Sequence, residues 1–136
     1  MGTVEQDRCA KELVLRFVAA LNDQDLVAVA DCVHVDFENH QLPLGVIVGR
    51  EAYLRHLRSW FEAYPDLRVE VRMCIAAAGT VCAELIEHGT RSGIFNGTPP
   101  SGELETYFGC DVLEVRRLQE VHLLGQRQSE RQCPGD

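Results

Sequence analysis

The sequence predicts an α+β domain in which three N-terminal helices pack on one face of a curved, mostly antiparallel sheet. Apolar residues recur every three to four positions in the first half of the chain and alternate with polar residues from residue 67 onward. The order of segments, helices and then strands, is typical of helices covering one face of an antiparallel sheet. No repeat or linker divides the 136 residues, so we expect a single domain.

The helices are predicted from their apolar stripes and from the residues at their ends. Leu13, Phe17 and Leu21 recur at intervals of four in "EQDRCAKELVLRFVAALN". Asp25 is placed to cap a short second helix, "LVAVADCV". The third helix, "GREAYLRHLRSWFEAYPD", is amphipathic and stops at Pro65.

The strands are predicted from alternation bounded by turn residues. A short strand, "VDFENHQLP", precedes the third helix, and "LRVEVRMCI" and "VCAELIEHGTR" form a hairpin around "AAAGT". The turn "NGTPPSG" leads into a long strand, "ELETYFGCDVLEVR". "RLQEVHLL" is a candidate last strand, and the polar remainder predicts a disordered tail. The predicted domain is therefore 1–124 and the tail 125–136.

Charge and composition narrow the classes of partner. Apolar residues make up 46% of the chain and charged residues 25%, which is ordinary for a globular protein. The net charge of −8 and the lack of a basic stripe argue against binding to nucleic acid or to an anionic membrane surface. No apolar run is long enough to span a bilayer, and the first residues lack the pattern of a signal peptide. We therefore expect a cytoplasmic protein.

The residues that bind metals and nucleotides do not occur in recognisable spacings. Six cysteines form no CxxC pair, and five histidines form no HExxH motif. The sequence contains no GxSxG elbow, GxGxxG loop or P-loop. We therefore predict neither a metal nor a cofactor.

Asp111 is an unusual residue for the middle of a strand, because aspartate is a poor strand former and costly to bury. In a regular strand it shares a face with Tyr107, Gly109 and Leu113, a face that is otherwise apolar apart from the tyrosine hydroxyl. Burial there would raise the pKa of the carboxyl toward a value useful for proton transfer. The alternatives are that Asp111 pairs with an arginine, such as Arg91, or lies on a solvated face.

Five other side chains are candidates for binding a small hydrophobic substrate. Asn39 and His40 are adjacent on a strand, so only one of them can face a given cavity and bind a carbonyl oxygen. The alternative is that they close the following turn. Arg91 is suited to a carbonyl-rich or acidic ligand but also to a surface position. Tyr107 and Trp60 complete the predicted substrate-binding set.

Five stretches occur in an ordered series over roughly residues 10 to 115: "RFVAALNDQDL", "DFENH", "GREAYLRHLRSWFEAYPDLRVEV", "HGTRSGIFNGTPPSGE" and "GCDV". Together they resemble the SnoaL-like polyketide cyclase family of the NTF2-like superfamily. The resemblance implies a cystatin-like conical sheet that encloses a deep apolar pocket, and a homodimer. It also implies that Asp111 is the general acid/base of an intramolecular aldol ring closure on a polyketide or related polycarbonyl compound, without a cofactor.

The chain departs from the family pattern in two places, and other functions stay open. The histidine position of the family's GTHTG stretch holds Arg91 here, and the ending lacks the usual DG turn and tryptophan. One alternative is a water-adding relative of the epoxide hydrolases, which use an Asp–Arg–Asp arrangement that Arg91 and Asp111 supply only in part. Another is a non-catalytic ligand-binding or dimerisation module.

Overall fold

The predicted α+β fold, three helices packed against a mostly antiparallel sheet, is confirmed by a computed structural model that describes residues 3–41, 45–117 and 121–132. The helices are α1 (Thr3–Asn22), α2 (Leu26–Cys32) and α3 (Arg50–Ala63). The strands are β1 (Val33–Gln41), β2 (Gly45–Val48), β3 (Arg68–Ala77), β4 (Thr80–Thr90), β5 (Leu104–Arg117) and β6 (Val121–Gln132).

The strands form one sheet in the order β2-β1-β6-β5-β4-β3. Neighbouring strands are antiparallel except β1 and β6, which run parallel. The sheet is open, with β2 and β3 at its two edges. The face of β4 and β5 that carries Val81 and Leu113 meets the helices, and we call it the inner face.

Two strands differ from the sequence prediction. β2 was not predicted, because four residues beginning at a glycine are too short to show alternation. β6 continues to Gln132, past residue 125, from which a disordered tail was predicted. The backbone there pairs with β5 on one side and partly with β1 on the other, which holds a polar strand in place without an apolar period. Residues 133–136 lie outside the described residues.

The helices are joined to the sheet by a shared core and by side-chain bonds at their ends. Phe17 of α1 and Leu57 of α3 are almost fully buried in the same cluster as Leu113. Asn22, the last residue of α1, bonds both backbone groups of Val69, accepting at 2.7 Å and donating at 2.9 Å. Because the side chain at the end of α1 bonds both backbone groups of a residue in an edge strand, these bonds set the position of α1 on β3.

The end of α3 lies close against β4. The Tyr64 ring lies over Gly89, where a Cβ atom would come within 2.7 Å of Tyr64 Cδ1. Asp66 accepts the backbone N–H and the hydroxyl of Thr90, each at 2.8 Å. The absence of a side chain at Gly89 therefore allows the Tyr64 hydroxyl to reach across the sheet.

Among residues 3–41, 45–117 and 121–132, no helix is both long enough and apolar enough to cross a membrane.

Replacing Gly89 with alanine should push Tyr64 off the sheet, because the added Cβ overlaps the ring. We expect a loss of about 1–3 kcal/mol in the free energy of unfolding, measured by urea denaturation. The matched control is Gly93→Ala, where the nearest atom to a Cβ is Ala63 Cα at 3.4 Å. An equal loss in both variants would contradict the close packing at Gly89.

Candidate functional site

Three acidic side chains are buried on the inner face of β4 and β5. Glu87, Glu105 and Asp111 are 8%, 5% and 3% exposed. In the β4–β5 register, Glu87 lies opposite Tyr107 and Asp111 lies opposite Ala83. Because residues opposite one another in a sheet share a face, the three carboxyl groups project toward the helices. Asp111 thus lies on the face that its strand alternation predicts.

The cavity beside Asp111, which we call the inner cavity, is small. It has a volume of about 20 Å³ and is lined by Asp111, Glu87, Tyr53 and Trp60 together with apolar side chains of α1 and the sheet. That volume is enough for about one water molecule. The space beside Asp111 is therefore much smaller than the deep pocket that the family resemblance implies.

Tyr53 of α3 lines the inner cavity and carries a hydroxyl group. Its ring packs against Phe37, with 4.6 Å between the ring centroids, and more loosely against Phe17 at 6.4 Å. Burial, and then the negative charges of Asp111 and Glu87, raise the pKa of the Tyr53 hydroxyl far above its ordinary value. Tyr53 therefore keeps its proton and can act as a hydrogen-bond donor in this cavity.

A second and larger cavity, which we call the outer cavity, lies at the C-terminal end of α3. It has a volume of about 330 Å³ and is open to solvent. Four aromatic and three charged side chains line much of it: Trp60, Tyr64, Phe95, Tyr107, Glu87, Arg91 and Glu105. Trp60 and Glu87 also line the inner cavity, so these two side chains lie between the two spaces.

Glu105 organises the wall of the outer cavity. Its Oε1 accepts hydrogen bonds from the hydroxyls of Tyr64 at 2.8 Å and Tyr107 at 3.0 Å. Its Oε2 accepts from the Ser101 hydroxyl at 2.9 Å and pairs with an Arg91 guanidinium nitrogen at 3.0 Å. Both partners of the ion pair are largely buried, with side chains 16% and 6% exposed for Arg91 and Glu105. A buried carboxylate with this many donors is stably ionised.

The same contacts shift three pKa values. Burial alone would raise the pKa of Glu105, but the hydrogen bonds from Tyr64, Ser101 and Tyr107 and the charge of Arg91 outweigh it, and the pKa is lowered. Burial and the bond to Glu105 raise the pKa of the Tyr64 hydroxyl and of the Tyr107 hydroxyl. Both tyrosines therefore stay protonated as donors to Glu105.

The loop between β4 and β5 closes one side of the outer cavity. Asn96 and Gly97 both have positive φ, 50° and 76°, and Phe95 and Thr98 exchange two backbone hydrogen bonds around them. An Asn-Gly pair favours this tight turn. The turn holds the Phe95 ring against Tyr64, edge to face with 6.0 Å between centroids.

The structure brings together most of the predicted substrate-binding residues. Arg91, Tyr107 and Trp60 line the outer cavity, whereas Asp111 lines the inner one. The alternative pairing of Asp111 with Arg91 does not occur, because Glu105 lies opposite Gly89, close in the ladder to Arg91, and takes that guanidinium.

Of the adjacent pair on β1, Asn39 faces inward and His40 faces outward. Asn39 is fully buried, and Phe37, two residues earlier, is buried beside Tyr53. His40 Nε2 lies 3.3 Å from the Glu38 carboxylate, and its side chain is 40% exposed. Asn39 is not among the residues that line the inner and outer cavities, so neither member of the pair lies directly in them.

Four residues of the site were not predicted as site residues: Tyr53, Tyr64, Glu87 and Glu105. Glu105 had a usable signal, because it precedes Tyr107 by two residues and therefore shares its face. Glu87 is found in the same way, by its alternation with Leu85 on β4. Tyr53 and Tyr64 looked like ordinary core residues of an amphipathic helix, and only tertiary packing shows what their hydroxyls approach.

No group of three or more histidine, cysteine, aspartate or glutamate side chains that could hold a metal ion occurs within the described part of the chain.

Comparisons with known proteins agree with this architecture. A family model described as SnoaL-like polyketide cyclase matches residues 11–121. No curated protein sequence matches the chain significantly.

Solved structures with the same fold come from several bacteria. A SnoaL-like polyketide cyclase from Agrobacterium tumefaciens superposes with a TM-score of 0.73 at 20% identity, covering 90% of this chain and 91% of that one. An LEH-like epoxide hydrolase from Mycobacterium tuberculosis gives 0.75 at 17% identity, covering 93% and 85%. A protein with a ketosteroid isomerase-like fold from Catenulispora acidiphila gives 0.72 at 16% identity, covering 87% and 84%. At these identities the likeness shows the fold alone.

The lowered pKa of Glu105 makes part of the stability sensitive to acid. Its contribution is present above the ordinary glutamate pKa and is lost as the pH falls through the folded-state value. We expect Glu105→Gln to lower the free energy of unfolding by about 1–3 kcal/mol at neutral pH. The difference from the wild type should shrink as the pH falls below the ordinary glutamate pKa, as measured by urea denaturation.

Glu103→Gln is the matched control, because Glu103 is exposed two residues away and its replacement changes the net charge equally. A Glu105→Gln variant whose deficit is independent of pH would contradict a buried, ionised Glu105.

Proposed function

Because the chain belongs to the SnoaL-like polyketide cyclase family, we propose that it is a cofactor-independent acid/base enzyme that abstracts a proton next to a carbonyl group, with Asp111 as the base. The observation that carries this proposal is the burial of the Asp111 carboxyl on the inner face, where it lines a cavity with Tyr53 and Glu87. A carboxyl group in an apolar, water-poor cavity is suited to proton transfer.

The proposed reaction is an intramolecular aldol ring closure. The Asp111 carboxylate removes a proton from the carbon next to a ketone, and the C–H electron pair forms an enolate. The enolate carbon attacks a second carbonyl carbon of the same molecule, which makes the ring C–C bond and leaves an alkoxide. The Asp111 carboxylic acid returns its proton to the alkoxide, so the enzyme ends in its starting state.

Tyr53 is the proposed donor to the enolate oxygen. Its hydroxyl lies in the inner cavity with Asp111, and its raised pKa keeps the proton on the oxygen. A donor fixed where negative charge develops contributes a large part of the rate in many enzymes of this kind. The proposal thus gives Asp111 and Tyr53 different roles, base and hydrogen-bond donor.

The substrate would enter through the outer cavity. Trp60 and Glu87 line both spaces, so movement of the Trp60 side chain would join them. The outer cavity would then hold the part of the substrate that does not react, and the inner cavity would receive the carbon that loses its proton.

The structure does not favour the water-adding alternative. That reaction uses an arginine between two carboxylates, and Glu87 and Asp111 are two candidates on the inner face. The positions between them on that face are Leu85 and Gly109, which carry no charge. Arg91 is held by Glu105. Within the side chains that the structure describes, this arrangement is therefore incomplete.

A non-catalytic ligand-binding role is the second candidate. The observation in its favour is that the outer cavity is large enough for a ligand, whereas the inner cavity has room for about one water molecule. The assay of Asp111 described below separates the two candidates, since binding alone does not exchange a carbon-bound proton.

A homodimer formed through the outer face of the sheet is a further part of the proposal. Met73, Ile75 and Phe108 are exposed apolar residues on that face, 49%, 55% and 38% exposed. The rungs Met73–Glu84–Cys110 and Ile75–Cys82–Val112 place Met73 and Ile75 on the same face of the sheet as Phe108, opposite the helices. Exposed apolar side chains on one face are typical of an interaction site.

Replacing Asp111 with asparagine should remove the base and keep the shape. The probe is 2′-hydroxyacetophenone in D₂O, and the measurement is exchange of its acetyl protons for deuterium, followed by proton NMR. We expect the wild type to accelerate the exchange and Asp111→Asn to reduce the acceleration by about 10²–10⁴-fold. Asp36→Asn is the control, because Asp36 is an exposed aspartate. Equal exchange with wild type and Asp111→Asn would exclude Asp111 as the base.

Ile75→Glu should convert the proposed dimer to a monomer, because a charge in the centre of an apolar interface has no partner. The molar mass is measured by size-exclusion chromatography with light scattering. Val27→Glu is the matched control, since Val27 is an apolar residue of α2 that is 74% exposed. A wild-type monomer, or a dimer that survives Ile75→Glu, would contradict the proposed interface.

A further inference from the structure

We infer that the outer cavity selects an uncharged, planar aromatic ketone or phenol and rejects the matching carboxylate, because its only inward-facing cation among the described lining residues is already neutralised by Glu105. The inference rests on the proposed function only in treating the bound molecule as the substrate. It names a substrate class for the site, and it is tested by binding rather than by turnover.

The walls of the cavity favour a flat ring. Trp60, Tyr64, Phe95 and Tyr107 contribute aromatic surface. The Tyr64 and Phe95 rings are held edge to face, and the hydroxyls of Tyr64 and Tyr107 are fixed on Glu105. Rings held in this way can stack on a planar ligand without losing much conformational freedom. The volume of about 330 Å³ lies near the lower end of the range for ligand pockets, so the expected ligand is small.

The charges of the cavity disfavour an anion. Arg91 pairs with Glu105 at 3.0 Å, and Glu87 adds a second carboxyl group to the lining. His88 also lines the cavity, but its imidazole nitrogens face the Thr106 hydroxyl at 3.2 Å and the Glu70 carboxylate at 3.7 Å. A ligand carboxylate would therefore enter beside two acidic groups without a cation to receive it.

Arg91 still offers donors to a neutral oxygen. The guanidinium group has five N–H donors, and the ion pair with Glu105 engages one of its terminal nitrogens. A ligand carbonyl or phenol oxygen can therefore accept a hydrogen bond from another N–H of this group. A carbonyl oxygen can accept this bond without bringing a net charge to the cavity.

The experiment compares two ligands of nearly equal shape, 2′-hydroxyacetophenone and salicylate, which differ in an acetyl methyl group against a carboxylate oxygen. Trp60 is the only tryptophan of the chain, so its indole N–H gives a single NMR resonance that reports on the outer cavity. We expect the ketone to shift this resonance with a dissociation constant at least about tenfold lower than that of salicylate.

Two substitutions test whether the Arg91–Glu105 ion pair causes this selectivity. Glu105→Gln removes the charge that neutralises Arg91, so salicylate should gain at least about tenfold in affinity while the ketone changes little. Glu103→Gln, which removes one negative charge outside the cavity, should leave the affinity for both ligands unchanged. Thermal unfolding confirms that each variant is folded.

The inference is overturned if salicylate binds the wild type as tightly as the ketone, or if Glu105→Gln and Glu103→Gln affect salicylate alike. It is also overturned if neither ligand moves the Trp60 resonance. These outcomes are distinct from failure of the proposed function. Selective binding by the wild type without accelerated proton exchange would support the inference while excluding catalysis by Asp111.

Discussion

The interaction on which the rest of the site depends is the burial of Glu105 among four donors. Arg91, Tyr64, Tyr107 and Ser101 all direct a hydrogen toward its two oxygens. Because these donors come from the C-cap of α3, from the residue after β4, from β5 and from the loop before β5, one carboxylate fixes the relative positions of the elements around the outer cavity. Its ionisation also decides which charges a ligand meets there.

Separation of the acidic groups along the inner face gives them different chemistry. Glu105 lies in a polar, hydrogen-bonded environment that stabilises its charge, whereas Asp111 lies deeper, among apolar residues and close to Tyr53. A difference of this kind allows one carboxyl group to be structural and another to transfer protons. Glu87 lies between them and lines both cavities. We therefore propose that ligand binding and proton transfer occur in neighbouring but distinct spaces.

The helices and the central strands could be predicted because their apolar periods differ, 3.6 for a helix and two for a strand. β2 and the outer half of β6 could not, since one is four residues long and the other is polar and held by backbone pairing on both sides. The sheet face on which Asp111 lies could be predicted from the alternation alone. The ion-pair partner of Arg91 could not be predicted, because it depends on the register that sets Glu105 opposite Gly89.

The most direct test of the account is a crystal structure of Asp111→Asn with 2′-hydroxyacetophenone bound. We expect the aromatic ring to lie against Trp60 and Tyr107, with Trp60 moved from its present position. The acetyl carbon should lie about 3–3.5 Å from the carboxamide at position 111. A ligand confined to the outer cavity, with Trp60 unmoved and the acetyl carbon out of reach of position 111, would contradict the assignment of Asp111 as the base.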